Sequence, residues 1–426
     1  MKYLLYISLI LILLCRCQPT KVVTTQAKQF AALYNPSEYS LNIDYQIYHI
    51  SDDLSSLYIR IFPRELVFNN ANTDSEYRAL VQIDYTIFEL DQEGKIVSKA
   101  DSSNFSIKLG PGDQDKTAFF ITKVLQIPSG KKYLIRLDSR DMYRGTVGLK
   151  HLYIDKENDL SGQNFSIISP QTGFPKFLNY FSTGEVFRIN YRKPGLDTLF
   201  VDFFKTDREY PKPPVEVDSP PYYSFKSDTC YIVPFSDSLF FTLPVVGMYR
   251  LRIDTTKQAG LTLHNFGPDF PHVKSNAGLM GPIFYIATLT EYRNLKQETN
   301  EKRAIDDFWL KRTSSMDRSR ELIRVYYNRV LYSNLYFTAG AEGWKTDRGM
   351  LFILFGPPDR MKDTGNEQHW YYISRKQRKV IEFIFERKST IFSDQDLVWK
   401  KNVQAMQYWS AAVSSWRSEK IYSLGK

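Results

Sequence analysis

The densest grouping of side chains able to do chemistry in this 426-residue chain is Gly343-Trp344-Lys345-Thr346-Asp347-Arg348-Gly349, followed by Gly356-Pro357-Pro358-Asp359. Arg348 beside two carboxylates, Asp347 and Asp359, could bind a carboxylate or phosphate through its forked guanidinium, with Trp344 stacking on a sugar or a peptide. The same residues also read as architecture. Gly343 and Gly349 tolerate backbone angles that other residues resist and would bracket a tight turn before a strand. Thr346 and Asp347 can accept hydrogen bonds from nearby backbone N–H groups and hold that turn. Trp344 would anchor it, its indole N–H needing a partner once buried. Arg348 would pair with Asp347 or Asp359 wherever the fold returns them, and Gly356-Pro357-Pro358-Asp359 would stop the strand in a rigid turn.

Other chemistry is poorly supported. No Ser/His/Asp order, HExxH pair, phosphate-cradling glycine loop or dinucleotide fingerprint occurs. Five histidines are present, and His264, His272 and His369 show no paired spacing. A paired-carboxylate hydrolase would need two acids that meet in space, and nothing in the sequence selects them. The three cysteines are Cys15, Cys17 and Cys230, so no cysteine–histidine cluster forms a metal site, and no cofactor is expected. Cys230 lies in the apolar run Thr229–Val233 and reads as a buried structural thiol. Net charge is +9, from 56 basic and 47 acidic residues spread along the chain. The short clusters Arg375, Lys376, Arg378, Lys379 and Lys400, Lys401 read as solvated faces, and without a long basic stripe nucleic acid is not an expected partner.

The N-terminus reads as an address. Lys2 precedes an apolar run to Leu14 that is shorter than the roughly 20 residues of a membrane-spanning helix and has signal-peptide proportions. A cysteine closing such a core resembles a lipoprotein signal at residues 1–17, with Cys17 the preferred lipidation site and Cys15 the alternative. The expected location is the cell envelope, lipid-anchored, with the outer membrane facing the periplasm preferred because no acidic run follows the cysteine.

Several elements must then position the Gly343–Asp359 stretch. After a linker at 18–38, short alternating runs predict a β-sandwich over 39–155, with strands at Leu41–Tyr48, Leu57–Ile61, Leu80–Phe88, Ile96–Val97, Ser103–Leu109, Ala118–Thr122, Lys132–Leu137 and Thr146–Leu152. A second sandwich is expected over 160–256, closing with Gly247–Ile253 and interrupted by a proline-rich loop, Tyr210–Pro221. Residues 280–426 predict an α+β domain. Its helices fall at Ile286–Leu295, Lys302–Trp309, Ser319–Phe337 and Gln404–Ile421, with a buried strand at Met350–Phe355 and paired strands at His369–Ile373 and Val380–Phe385. The stripe of the long helix reads as Leu322, Ile323, Val325, Tyr326, Val330, Leu331, Leu335 and Tyr336.

The Gly-Trp-x-Thr-Asp-Arg-Gly run with its Gly-Pro-Pro-Asp sequel resembles the GWxTD-domain family of exported bacterial proteins, notably of the Bacteroidota. Phe308-Trp309, Tyr326-Tyr327-Asn328-Arg329 and Trp370-Tyr371 also fall where that pattern expects them, so the resemblance covers about residues 280–425. It implies export and a domain, not a reaction. The expectation is therefore a non-enzymatic envelope lipoprotein that binds a protein partner in an envelope assembly or secretion complex. The alternatives are an enzyme acting on peptidoglycan or glycan, and a glycan-binding module, each with its site near Gly343–Asp347.

Overall fold

The computed structural model describes residues 31–424 apart from 36–39, 71–76, 206–209, 213–225, 375–377, 389, 391, 394–395 and 423, and apart from the side chains of 403 and 404. The signal expected at 1–17 with Cys15 and Cys17, the expected linker as far as residue 30, Arg375, Lys376 and most of the proline-rich segment Tyr210–Pro221 lie outside the described residues.

Period-two alternation builds the first sandwich. Strand β1 (Ile43–His49) buries Ile43, Tyr45 and Ile47 while Asp44, Gln46 and Tyr48 point away from that core. It pairs with β2 (Leu54–Ile61), which pairs with β5 (Phe119–Gln126), giving a three-stranded sheet. The facing sheet has the order β4-β3-β6-β7, from β3 (Ala79–Leu90), β4 (Ile96–Leu109), β6 (Lys132–Asp141) and β7 (Val147–Asp155). Leu57, Ile59, Val81, Ile83, Ile135 and Leu137 fill the space between the sheets. The two short runs read at Ile96–Val97 and Ser103–Leu109 are one edge strand. Its first half is exposed on both faces, so no hydrophobic alternation marks its continuity.

The second sandwich pairs a sheet of order β13-β10-β8 with one of order β12-β11-β14-β15-β9. The strands are β8 (Phe165–Ile168), β9 (Tyr180–Phe181), β10 (Phe187–Tyr191), β11 (Thr198–Phe204), β12 (Thr229–Pro234), β13 (Phe240–Phe241), β14 (Gly247–Arg252) and β15 (Leu261–Asn265). Strand β14 does not close the sheet: it is central, and β15 beyond it, fully buried, carries the sheet past residue 256. Cys230 is exposed rather than buried, because β12 is the sheet's edge and shows almost all of its side chains to solvent.

The distal part is α+β, as the sequence reading expects. Helices α1 (Asn276–Met280), α2 (Leu289–Gln297), α3 (Glu301–Leu310), α4 (Met316–Phe337), α5 (Asp347–Phe355) and α6 (Val403–Arg417) pack with an antiparallel sheet. That sheet has the order β16 (Arg360–Asp363), β17 (Glu367–Ser374), β18 (Lys379–Lys388) and β19 (Asp396–Trp399). The buried side of α4 is Ser319, Leu322, Tyr326, Val330, Ser333, Asn334 and Phe337, whereas Leu335, read as part of the stripe, is exposed.

Met350–Phe355 is the largest departure, for it is the body of helix α5 and not a strand. Every residue from Met350 to Phe355 is buried, so the run has no polar face by which period 3.6 could be told from period 2. Its ends specify a helix. The Thr346 hydroxyl caps the N-terminus by accepting from the Gly349 N–H (3.1 Å), and Gly356, at φ 80°, ends it in a conformation that L side chains resist.

Candidate functional site

Gly343, Trp344, Asp347, Arg348 and Asp359 of the stretch are each engaged by a neighbouring element. Gly343–Lys345 forms a single 3-10 turn laid across α4. The turn is held by Asn334, whose amide oxygen accepts from the Trp344 N–H (3.2 Å) while its Nδ2 donates to the Pro271 carbonyl (2.8 Å). Thr338 Oγ1 accepts from the Gly343 N–H (2.9 Å). A Cβ on Gly343 would lie 1.8 Å from the Ser333 carbonyl oxygen, and one on Gly349 would lie 1.9 Å from the Gly343 carbonyl oxygen. Both glycines are therefore required by close backbone approach; neither has positive φ, which corrects the reading from turn angles.

Thr346 ties the turn to the helix: besides capping α5, its hydroxyl donates to the Gly343 carbonyl (2.7 Å). Asp347, in the first turn of α5, accepts from the Trp399 N–H of β19 at 2.9 Å, so its backbone partner comes from a distant strand. The far end of α5 is equally occupied. Arg329 Nη1 donates to the carbonyls of Ile353 (2.9 Å) and Leu354 (3.1 Å), and Trp416 Nε1 donates to Leu354 (3.0 Å). These are the orphan acceptors of a helix C-terminus, where a cation is also favoured by the helix dipole. Burial lowers the Arg329 guanidinium to about 10. Pro358 is buried, Pro357 half-buried and Asp359 exposed, its carboxylate accepting from the Ile373 N–H (2.7 Å).

Trp344 is 6% exposed and joins an aromatic group with Tyr210 (ring centroids 5.1 Å) and Tyr285 (6.2 Å). The Tyr285 hydroxyl donates to the Trp344 carbonyl (2.8 Å). Arg348 points elsewhere. It is 7% exposed, with its guanidinium 5.0 Å from the Phe337 ring centre. Burial lowers its pKa; Tyr34, Asp396 and Asp363 act to raise it, and Arg387 acts with the burial. The structure thus separates the residues that could have formed a ligand site: Trp344 faces the aromatic group, Asp347 faces β19, Arg348 faces Tyr34 and Phe337, and Asp359 faces β17.

Beyond Arg348 runs a polar seam against the first sandwich. His151 Nδ1 of β7 lies 3.1 Å from Asp363 Oδ1 of β16. Burial raises the Asp363 carboxyl, but the bond to and charge of His151, the Gly365 N–H and the Gln368 amide together hold it far below the usual range. The Tyr153 hydroxyl bonds Asn366, whose Nδ2 donates to the Gly94 carbonyl (2.9 Å), and Arg387 covers the Tyr153 ring at 5.0 Å. On the second sandwich, Phe204 meets Phe392 edge-on at 5.1 Å. Sequence reading missed Asn334, Tyr285, His151 and Asp363; only Asn334 left a local trace, as a polar residue on the inner side of α4.

Among the described residues no group of three or more His, Cys, Asp or Glu is placed to hold a metal ion, and no helix is long and apolar enough to cross a membrane. The flanking aromatic pairs are held by other parts of the distal domain. The Tyr326 hydroxyl donates to the Pro282 carbonyl (2.7 Å), Trp309 packs edge-on against Tyr326 at 5.3 Å, and Trp370 Nε1 donates to Gln368 Oε1 (2.8 Å).

The family model of the GWxTD domain matches residues 247–418, beginning at β14 and so taking in the last two strands of the second sandwich. Comparison with curated proteins found no match. Among solved structures, a Bacteroides fragilis protein described as a candidate beta-galactosidase is similar at 16% identity over 34% of this chain and 20% of that one, with a TM-score of 0.17. Red sea bream transglutaminase is similar at 8% identity over 50% of this chain and 28% of that one, with a TM-score of 0.19. The chain spans less than a third of either structure, and likenesses this slight carry no argument about activity.

Proposed function

The chain is a GWxTD domain-containing protein, and from that premise we propose that it is an exported, lipid-anchored envelope protein without enzymatic activity, whose distal domain binds a protein partner in an envelope assembly or secretion complex. One observation carries this reading: every motif side chain with chemical capability is engaged within the fold. Thr346 caps α5, Asp347 holds β19, Asp359 holds β17, and Trp344 and Arg348 are buried against aromatic rings. An active site needs convergent groups around a space for substrate, and these groups diverge into four different contacts. What remains for function is surface, presented on a rigid head by two β-modules. The lipid anchor rests on the short apolar run and Cys17.

The test is affinity purification of the tagged, full-length protein from its own envelope, with the same preparation assayed for turnover of peptidoglycan and other glycans. A partner co-purifying in fixed proportion, with no turnover, supports the proposal. A solitary protein that cleaves cell-wall material overturns it.

A further inference from the structure

The aromatic group around Trp344 has an occupant that comes from outside the distal domain. Tyr210 belongs to the connection between β11 and β12 of the second sandwich, yet its ring lies 5.1 Å from Trp344, 5.1 Å from Phe284 and 6.4 Å from Tyr292. Its phenol oxygen accepts from the Tyr292 hydroxyl at 3.4 Å. Gly281 keeps the floor open, since a Cβ there would stand 2.7 Å from the Trp344 ring and 3.5 Å from the Tyr210 hydroxyl. The residue after Tyr210 is Pro211, which biases Tyr210 toward an extended backbone and lowers the entropy lost when its ring docks. A tyrosine ring inserted among aromatic faces and followed in sequence by proline matches the way aromatic-lined grooves take proline-containing segments.

We infer that the groove formed by Trp344, Phe284 and Tyr292 is a recognition site for a Tyr-Pro segment, and that this chain fills it in cis with Tyr210. A partner carrying an extended Tyr-Pro sequence would compete for the same place. The groove stands on the contacts above. Only the identification of its external occupant with the partner rests on the function proposed in the preceding subsection. Because Tyr210 is half-buried, its outer edge is reachable, and exchange requires this one ring to leave the groove and not the domain to unfold.

The probe is a fluorophore-labelled peptide with the chain's own sequence from Arg208 to Pro214, titrated by anisotropy against wild type and Tyr210→Ala. In the wild type the tethered Tyr210 competes at high effective concentration, so the peptide should bind Tyr210→Ala at least about ten-fold more tightly. The same peptide with its tyrosine replaced by alanine should bind neither. Circular dichroism establishes that the variant is folded; were Tyr210→Ala to lose its fold, Tyr210→Leu, which keeps apolar bulk without the ring, takes its place. Equal binding to wild type and variant, or no binding to a folded variant, overturns the inference. A co-purifying partner whose binding is indifferent to Tyr210→Ala would leave the envelope function standing and remove the groove from it.

Discussion

Gly349→Ala sets two well-characterised effects against each other. Gly349 is the third residue of α5, and by helix propensity alone alanine should stabilise that position by about 1 kcal/mol. The structure argues the opposite. The added Cβ would stand 1.9 Å from the Gly343 carbonyl oxygen, 2.7 Å from its carbon and 2.9 Å from the Trp344 Cα. All three are backbone atoms, so no side chain can rotate away, and the helix must move off the turn. Overpacking costs about 1–3 kcal/mol, and a backbone clash belongs at the upper end. Movement also stretches the Thr346 cap, held at 3.1 Å, which is worth about 1 kcal/mol. The net expectation is destabilisation by about 2–3 kcal/mol. All six tryptophans, Trp309, Trp344, Trp370, Trp399, Trp409 and Trp416, lie in the distal domain, so their fluorescence in a urea titration follows that domain selectively. The midpoint should fall with the slope unchanged. Gly340→Ala, in the same domain, where a Cβ would meet only ordinary contacts at 3.7 Å, serves as the neutral control. A Gly349→Ala protein as stable as wild type, or more stable, would refute the close-approach reasoning.

Three further changes probe the electrostatic contacts. Glu291 receives a bidentate pair from Arg417 (2.6 and 3.0 Å) and an ion pair from Arg312. Arg417 lowers its carboxyl, partial burial opposes, and the Thr288 N–H and Arg312 lower it further, to about 2 from 4.5. Its folded value is depressed, so this stabilisation is complete above pH 4.5 and lost as pH falls toward 2; Glu291→Gln should lower stability at pH 7 by about 2 kcal/mol and flatten that acid limb in urea melts. His264 is buried and held at about 4 against an ordinary 6.5, with the Phe392 backbone bond opposing. The unfolded chain takes up this proton first, so stability is lost as pH falls from 6.5 to 4; His264→Phe should reduce the slope there without abolishing it, because His49 is also held at about 4. Asp363→Asn weakens the carboxylate's bonds from the Gly365 N–H (2.8 Å) and the Gln368 amide (2.9 Å) beside His151, and should cost about 2 kcal/mol by calorimetry, whereas the exposed Asp317→Asn should change little.

Much of the fold was legible because its strands are half-buried. Ile43, Tyr45 and Ile47 alternate with Asp44, Gln46 and Tyr48, and such alternation has one interpretation. Where burial is total or absent the pattern vanishes, which is why α5 read as a strand and β4 as two pieces. For α5 the ends held the answer: Thr346 with Asp347 in the first turn and Gly356 after the last residue are helix start and stop signals. Cys230 was misplaced because an apolar run does not say whether its strand is central or at an edge. The motif stood out by residue type, but its wiring did not. Asp347 meets the Trp399 N–H, His151 meets Asp363 and Tyr210 meets Trp344 across separations that leave no local signal.

The central claim is that the Gly343–Asp347 turn builds the domain rather than performing chemistry, and the Asp347–Trp399 bond is its most exposed consequence. Hydrogen exchange read by mass spectrometry on Asp347→Ala tests it most directly. Amides of β19, with Trp399 foremost, should lose protection while the first sandwich is unchanged. Unchanged protection in β19, together with loss of a measurable turnover or ligand binding, would contradict it.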